Sequence, residues 1–160
     1  MYEHPDLPGL LREGLELDCR VVIPSCHIGE EWDPTMLSSF LDDFDRAQGK
    51  PANGYDVVGY SRGGRGAYRL AAANPGRIRT LAVIAAKEMP EVVPRISSLP
   101  VFICHGISDE RAPVDGARHM NDSLRSTGCN STLSIVEGDH FIVADVLSDG
   151  FLFRWQRDAI

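Results

Sequence analysis

The chain has 160 residues, 43% of them hydrophobic and 24% charged, with a formal net charge of −7; this is ordinary for a folded domain, read as a single unit over residues 1–160 with one core. Its basic residues are scattered in sequence and form no stripe to replace phosphate counterions, so no nucleic-acid partner is expected. No apolar run approaches the roughly 18 residues of a membrane span, and Met1 to Asp6 is not a basic segment leading into an apolar one, so the chain reads as cytoplasmic, with no membrane partner.

In chain order, residues 8–14 read as a short helical turn. Residues 19–23, Cys-Arg-Val-Val-Ile, are the first expected strand, closed by Pro24. After a loop over 25–32, Asp33 and Pro34 supply an N-cap and a proline at the first helical position. The helix that follows carries Met36, Leu37, Phe40, Leu41 and Phe44 on its apolar side and should stop near Gly49. Residues 50–54 form a turn into a short apolar strand, which ends in Gly59-Tyr60-Ser61-Arg62-Gly63 before an alanine-rich helix.

That strand, turn and helix follow the pattern of a nucleophile elbow with Ser61 at its apex. A chain reversing so sharply holds residue 61 in a strained backbone conformation and lifts its side chain above the sheet edge. The residues two before and two after it approach closely, which accounts for glycine at 59 and 63; Gly64 and Gly66 let the helix lie against its strand. The helix N-terminus aims free N–H groups at negative charge developing beside Ser61, and the N–H of Arg62 is the natural first oxyanion donor.

Residues 80–85 and 100–104 are continuously apolar, as strands covered on both faces are. Between them, residues 87–99 contain Pro90 and Pro94 and read as an irregular crossing with one helical turn. A helix over about 114–126, with Ala117, Met120 and Leu124 inward, ends at Gly128. Residues 131–136 form a strand with Leu133 and Ile135 on one face, and a last helical region with Val146, Leu147, Leu152, Phe153 and Trp155 packs back on the sheet. The alternation implies an α/β chain, a three-layer α/β/α sandwich around a mostly parallel sheet of about five strands. Ser61, Asp109 and His140 each fall just past the C-terminal end of an expected strand, the edge where such sheets bind ligands.

Serine is a weak nucleophile at neutral pH and needs a base to take its proton as it attacks. His140 fits that role, and Asp109 can accept from its other ring nitrogen, fixing the tautomer and stabilising the imidazolium. The order Ser61, Asp109, His140 is the order of the elbow mechanism. Taken alone, Asp109 reads equally as a turn or cap residue and His140 as a loop histidine; Glu110, Glu137 and Asp139 are neighbouring alternatives for the acid. Of the other histidines, His105 reads as structural within its loop, His27 as solvent-exposed, His119 as helix surface and His4 as terminal, while Trp32 reads as core packing. Cys19, Cys26, Cys104 and Cys129 lack metal-ligand spacing and are expected as free thiols, Cys104 as a small buried hydrophobe.

On these residues the sequence resembles an α/β-hydrolase, and more narrowly the small bacterial serine esterases and predicted peptidases. Gly59-Tyr60-Ser61-Arg62-Gly63-Gly64 matches the elbow of that family, His105 to Asp109 with Pro113 its acid loop, and Gly138-Asp139-His140 its histidine loop; residues 20–25 with Trp32 and Asp33 resemble the strand and helix start before the elbow. The resemblance implies a reduced α/β-hydrolase fold, a small ester as substrate, and no cofactor or metal.

Family members usually carry an earlier strand and a His-Gly-Gly-type loop that gives the second oxyanion N–H, and Met1 stands after its place. The slot so left is expected to be filled by the 19–23 strand moving beside the elbow strand, which brings the N–H of Cys26 or His27 near Ser61, or by a second copy of the chain in a homodimer. Without a long insertion between residues 85 and 109, the pocket should be shallow and suited to short acyl groups. Two rivals share the same residues: a peptide or acylaminoacyl hydrolase using the same triad, and a weakly active or inactive binding protein.

Overall fold

A computed structural model describes residues 7–12, 17, 19–27 and 29–159. Its centre is a parallel sheet of β1 (Tyr55–Tyr60), β2 (Ile78–Ile84), β3 (Val101–Gly106) and β4 (Ser131–Val136), arranged in that order. The connections run through α3 (Arg62–Ala73), a tight turn at Pro90–Val92 with α4 (Val93–Ile96), and α5 (Val114–Ser126). All three pack on one face of the sheet, as repeated right-handed crossovers between successive parallel strands require. α2 (Pro34–Gln48) joins that layer. The other face is covered by α1 (Leu7–Arg12), α6 (Val143–Ser148) and α7 (Phe151–Asp158).

Strand alternation divides the core between the two faces. On β2, Leu81 and Val83 enter the layer of α3 and α5, and Ala82 and Ile84 enter that of α6 and α7. β2 and β3 are therefore apolar throughout because both of their faces are covered. The start of α2 follows from Asp33, whose carboxylate accepts the N–H groups of Thr35 and Met36 at 2.7 and 2.9 Å, with Pro34 at the first position. Those two N–H groups hold the Asp33 carboxyl below its ordinary pKa. Gly49, at φ +81°, ends the helix.

Several expectations fail here. The sheet has four strands among the described residues, not about five, because residues 19–23 form no strand and do not move in beside β1, which lies at the sheet edge paired with β2. Val22 and Ile23 stay exposed, so the run buries no face, and a short extended segment without buried surface does not hold a ladder. On α2, Leu37 and Leu41 are buried while Met36 is 73% exposed, since the apolar arc is wider than the surface it meets. Leu133 packs on the core but Ile135 is exposed at the outer strand β4. The reading of His4 lies outside the described residues. No described helix is long and apolar enough to cross a membrane.

Candidate active site

Ser61 occupies the turn between β1 and α3 at φ +52°, ψ −117°, a left-handed conformation that a non-glycine residue adopts only at a cost. The surroundings fix it: its N–H donates to the Ile84 carbonyl at 2.8 Å, and its carbonyl accepts from the N–H groups of Gly64 and Arg65. The close approach expected of the flanking glycines is one-sided. A Cβ on Gly59 would strike the Gly63 carbonyl oxygen and lie 2.7 Å from the Ala67 methyl, whereas a Cβ on Gly63 would meet nothing within 4 Å. Gly64 does bring the helix close to β2, with Val83 and Ala86 against it, but Gly66 faces the Trp32 ring. Trp32 is accordingly part of the core packing.

Asp109 lies in the loop after β3 with its side chain fully buried. One carboxylate oxygen accepts the N–H groups of Arg111 and Ala112, both at 2.8 Å, in a local turn that fixes its direction. Its other oxygen is 2.8 Å from His140 Nδ1. Burial pushes this carboxyl up, but the Ala112 N–H, the His140 ring and the Arg111 N–H outweigh that and hold it below the ordinary carboxylate range.

His140 follows β4 on a loop that Gly138 turns at φ +131°. Its Nε2 is 2.8 Å from Ser61 Oγ. Because the carboxylate can only accept, the proton on His140 belongs on Nδ1, which leaves Nε2 to receive the serine hydroxyl. The loop is held from two sides: Tyr60 donates its hydroxyl to the His140 carbonyl at 3.1 Å, and the Ser108 N–H donates to Gly138 O at 3.0 Å. Gly106 must be glycine here, since a Cβ would run into the Asp139 carbonyl oxygen.

Thus Ser61, His140 and Asp109, drawn from three strand ends, form one hydrogen-bonded chain. Glu110, Glu137 and Asp139 are exposed and none bonds to His140; Asp139 instead accepts the Phe141 N–H at 2.8 Å. His27 is exposed and the His119 side chain is 70% exposed. Cys26, Cys104 and Cys129 are free thiols, and burial raises the Cys104 thiol to about 11. His105 is fully buried, with Nε2 at 2.6 Å from Ala112 O and 3.2 Å from the Asp109 carboxylate.

The N–H of Arg62, in the first turn of α3, has no acceptor among the described residues and sits beside Ser61. The segment of Cys26 and His27 reaches this region differently from expectation. The Arg62 guanidinium donates to the carbonyls of His27 and Glu30 at 3.1 and 2.9 Å, and neither Cys26 nor His27 lines the cavity over the serine. That cavity, about 200 Å³, is bounded by Ser61 and His140 together with Arg62, Arg65, Lys87 and Arg111. The last three were not picked out from sequence; the available signal was their position a few residues beyond the ends of apolar strands or in the turn after the elbow.

No protein-family model matches the chain, and no curated protein matches it in sequence. Its structure is similar to that of a thermostable esterase (TM-score 0.68, 16% identity, covering 78% of this chain and 36% of that one). It is also similar to esterase PE8 (0.60, 26%, 75% and 58%). A third is MGS-MChE2, an alpha/beta hydrolase enzyme from the metagenome of sediments of the lagoon of Mar Chica, Morocco (0.59, 14%, 79% and 70%). The chain has the α/β-hydrolase fold in reduced form. It spans about a third of the first of these structures and under three fifths of the second.

Proposed function

We propose that the chain acts as a serine hydrolase on small or short-acyl carboxylic esters, through an acyl-enzyme intermediate. The observation that carries this reading is the pair of 2.8 Å contacts joining Ser61 Oγ, His140 and the Asp109 carboxylate. In this reading His140 Nε2 takes the Ser61 proton as Oγ attacks the ester carbonyl, and Asp109 stabilises the imidazolium that forms. The N–H of Arg62 donates to the carbonyl oxygen as negative charge develops on it. As the tetrahedral intermediate collapses, His140 returns its proton to the leaving alcohol, and the same nitrogen then deprotonates a water that releases the acid. In this reading the second oxyanion donor is a backbone N–H of the Cys26–His27 segment, which the Arg62 guanidinium tethers by donating to the His27 carbonyl. The cavity of about 200 Å³ supports a small substrate.

Covalent labelling with a fluorophosphonate, detected by intact mass, tests the reading. The wild-type chain should take up one equivalent and Ser61→Ala none; no uptake by folded wild-type protein would count against a working nucleophile. The catalytically weak binding protein remains the second reading, favoured by one observation: neither sequence-designated second donor lines the cavity. Rapid labelling together with slow ester turnover is its signature.

A further inference from the structure

Resting on that reading, we propose that the ester taken by this cavity is anionic: one half of it carries a carboxylate, seated by Arg62, Lys87 and Arg111. The chain as a whole holds 16 basic against 23 acidic residues, yet the residues that line the cavity include four arginines or lysines and no aspartate or glutamate. They reach it from separate places: Arg62 and Arg65 from the first turn of α3, Lys87 from beyond β2, and Arg111 from the Asp109 loop.

Their charges are not equally spent. Arg65 is paired with Glu31, which also binds Arg69. Among the described residues, no carboxylate forms an ion pair with Arg62, Lys87 or Arg111. Arg62 is anchored by the carbonyls of His27 and Glu30, and Arg111 by the Phe141 ring 4.8 Å from its guanidinium carbon, contacts that orient each cation without neutralising it. Three uncompensated cations around one small cavity repel each other, and a neutral ester relieves none of that repulsion. An anionic one does.

The second cleft at the site gives the arrangement a direction. It shares Arg111 and His140 with the first but is bordered by Glu110 and Asp139. An acid group is therefore favoured on the side of Arg62 and Lys87 and disfavoured on the side of Asp139.

The test compares esters of matched length, followed by proton NMR. Monoethyl glutarate against ethyl pentanoate puts the charge in the acyl half; acetoxyacetate against ethyl acetate puts it in the alcohol half. The expected result is a kcat/KM ratio of about tenfold in favour of the anion in one pair at low salt, largely lost at about 0.5 M NaCl, as for attractions between exposed charges. Lys87→Gln should lower that ratio several-fold, and Arg118→Gln, whose side chain pairs with Asp115 on α5, should leave it unchanged. Ratios at or below one in both pairs, with the neutral esters turned over, would overturn the inference and leave the hydrolase reading standing. If no ester is cleaved the hydrolase reading fails, and the anion site is then read by NMR titration of Ser61→Ala with glutarate. Shifts at residues 62, 87 and 111 support it, and their absence overturns it.

Discussion

The Asp109 carboxylate lies between two histidines: the oxygen that meets His140 Nδ1 at 2.8 Å is also 3.2 Å from His105 Nε2. His105 Nε2 is 2.6 Å from the Ala112 carbonyl, which can only accept, so this nitrogen carries a proton and holds the Asp109 loop closed. His105→Phe leaves both acceptors short of that donor in a fully buried place, and should destabilise the fold by about 1–3 kcal/mol. Denaturant unfolding of the variant checks this; an unchanged midpoint would show that the buried imidazole does no anchoring.

Asp109→Asn separates the acid's chemical role from its position. An amide is close to a carboxylate in size but presents the wrong partner to His140 Nδ1, so kcat should fall by about 10⁴-fold, with retained far-UV and near-UV circular dichroism. Loss of only a few-fold would transfer the role of the acid to another residue.

The same substitution has a signature in acid. The Asp109 carboxyl is held below its ordinary value in the folded chain, so the folded state binds its proton less readily than the unfolded one. Its contribution to stability is full above the unfolded value of about 3.9 and is lost as pH falls through the lowered folded value. Between about pH 5 and pH 2, wild-type stability should fall more steeply than that of Asp109→Asn, by the linkage slope of one extra proton. Parallel curves would contradict the assignment.

Gly59 and Gly63 flank Ser61 symmetrically in sequence but not in space. Gly59→Ala drives a methyl into the Gly63 carbonyl and Ala67, and should cost about 1–3 kcal/mol by overpacking, with loss of fluorophosphonate labelling. Gly63→Ala enters open space within α3 and should be neutral or stabilising by about 0.5–1 kcal/mol. Thermal unfolding of the two variants distinguishes them.

Gly106→Ala is a remote route to the same loss. Its methyl would displace the Asp139 carbonyl and with it the loop of His140, although residue 106 touches neither Ser61 nor a substrate. Labelling should fall at least tenfold, since small misplacements of reacting groups cost about 10²-fold in rate. Retained labelling would mean that the histidine loop shifts without losing register.

Much of this site was legible in one dimension because an elbow is a local object: strand, glycines and helix all lie within a few residues of Ser61. Asp109 and His140 were legible through their positions at strand outlets, which apolar runs such as residues 80–85 and 100–104 announce. The failures were of another kind. Residues 19–23 have the composition of a strand, but pairing depends on a neighbour that composition does not specify. Gly66 looked like a helix-to-strand contact and faces Trp32 because helix rotation depends on what else packs there. The basic residues read as scattered, and they are scattered in sequence; Arg62, Lys87 and Arg111 gather only because successive parallel strands deliver their outlets to one edge.

The two helical layers differ in how far along the chain their members come from. α3 and α5 each cover strands that adjoin them, whereas the opposite layer brings α1 against α6 and seats α6 and α7 on β2 and β3. His140 immediately precedes that second layer. The elbow closes within a few residues of Ser61, whereas His140 meets Ser61 across 79 residues of chain, a closure that costs more entropy. Amide exchange should find residues 143–158 opening more readily than β2, so that the serine keeps its turn in species that have already lost their base.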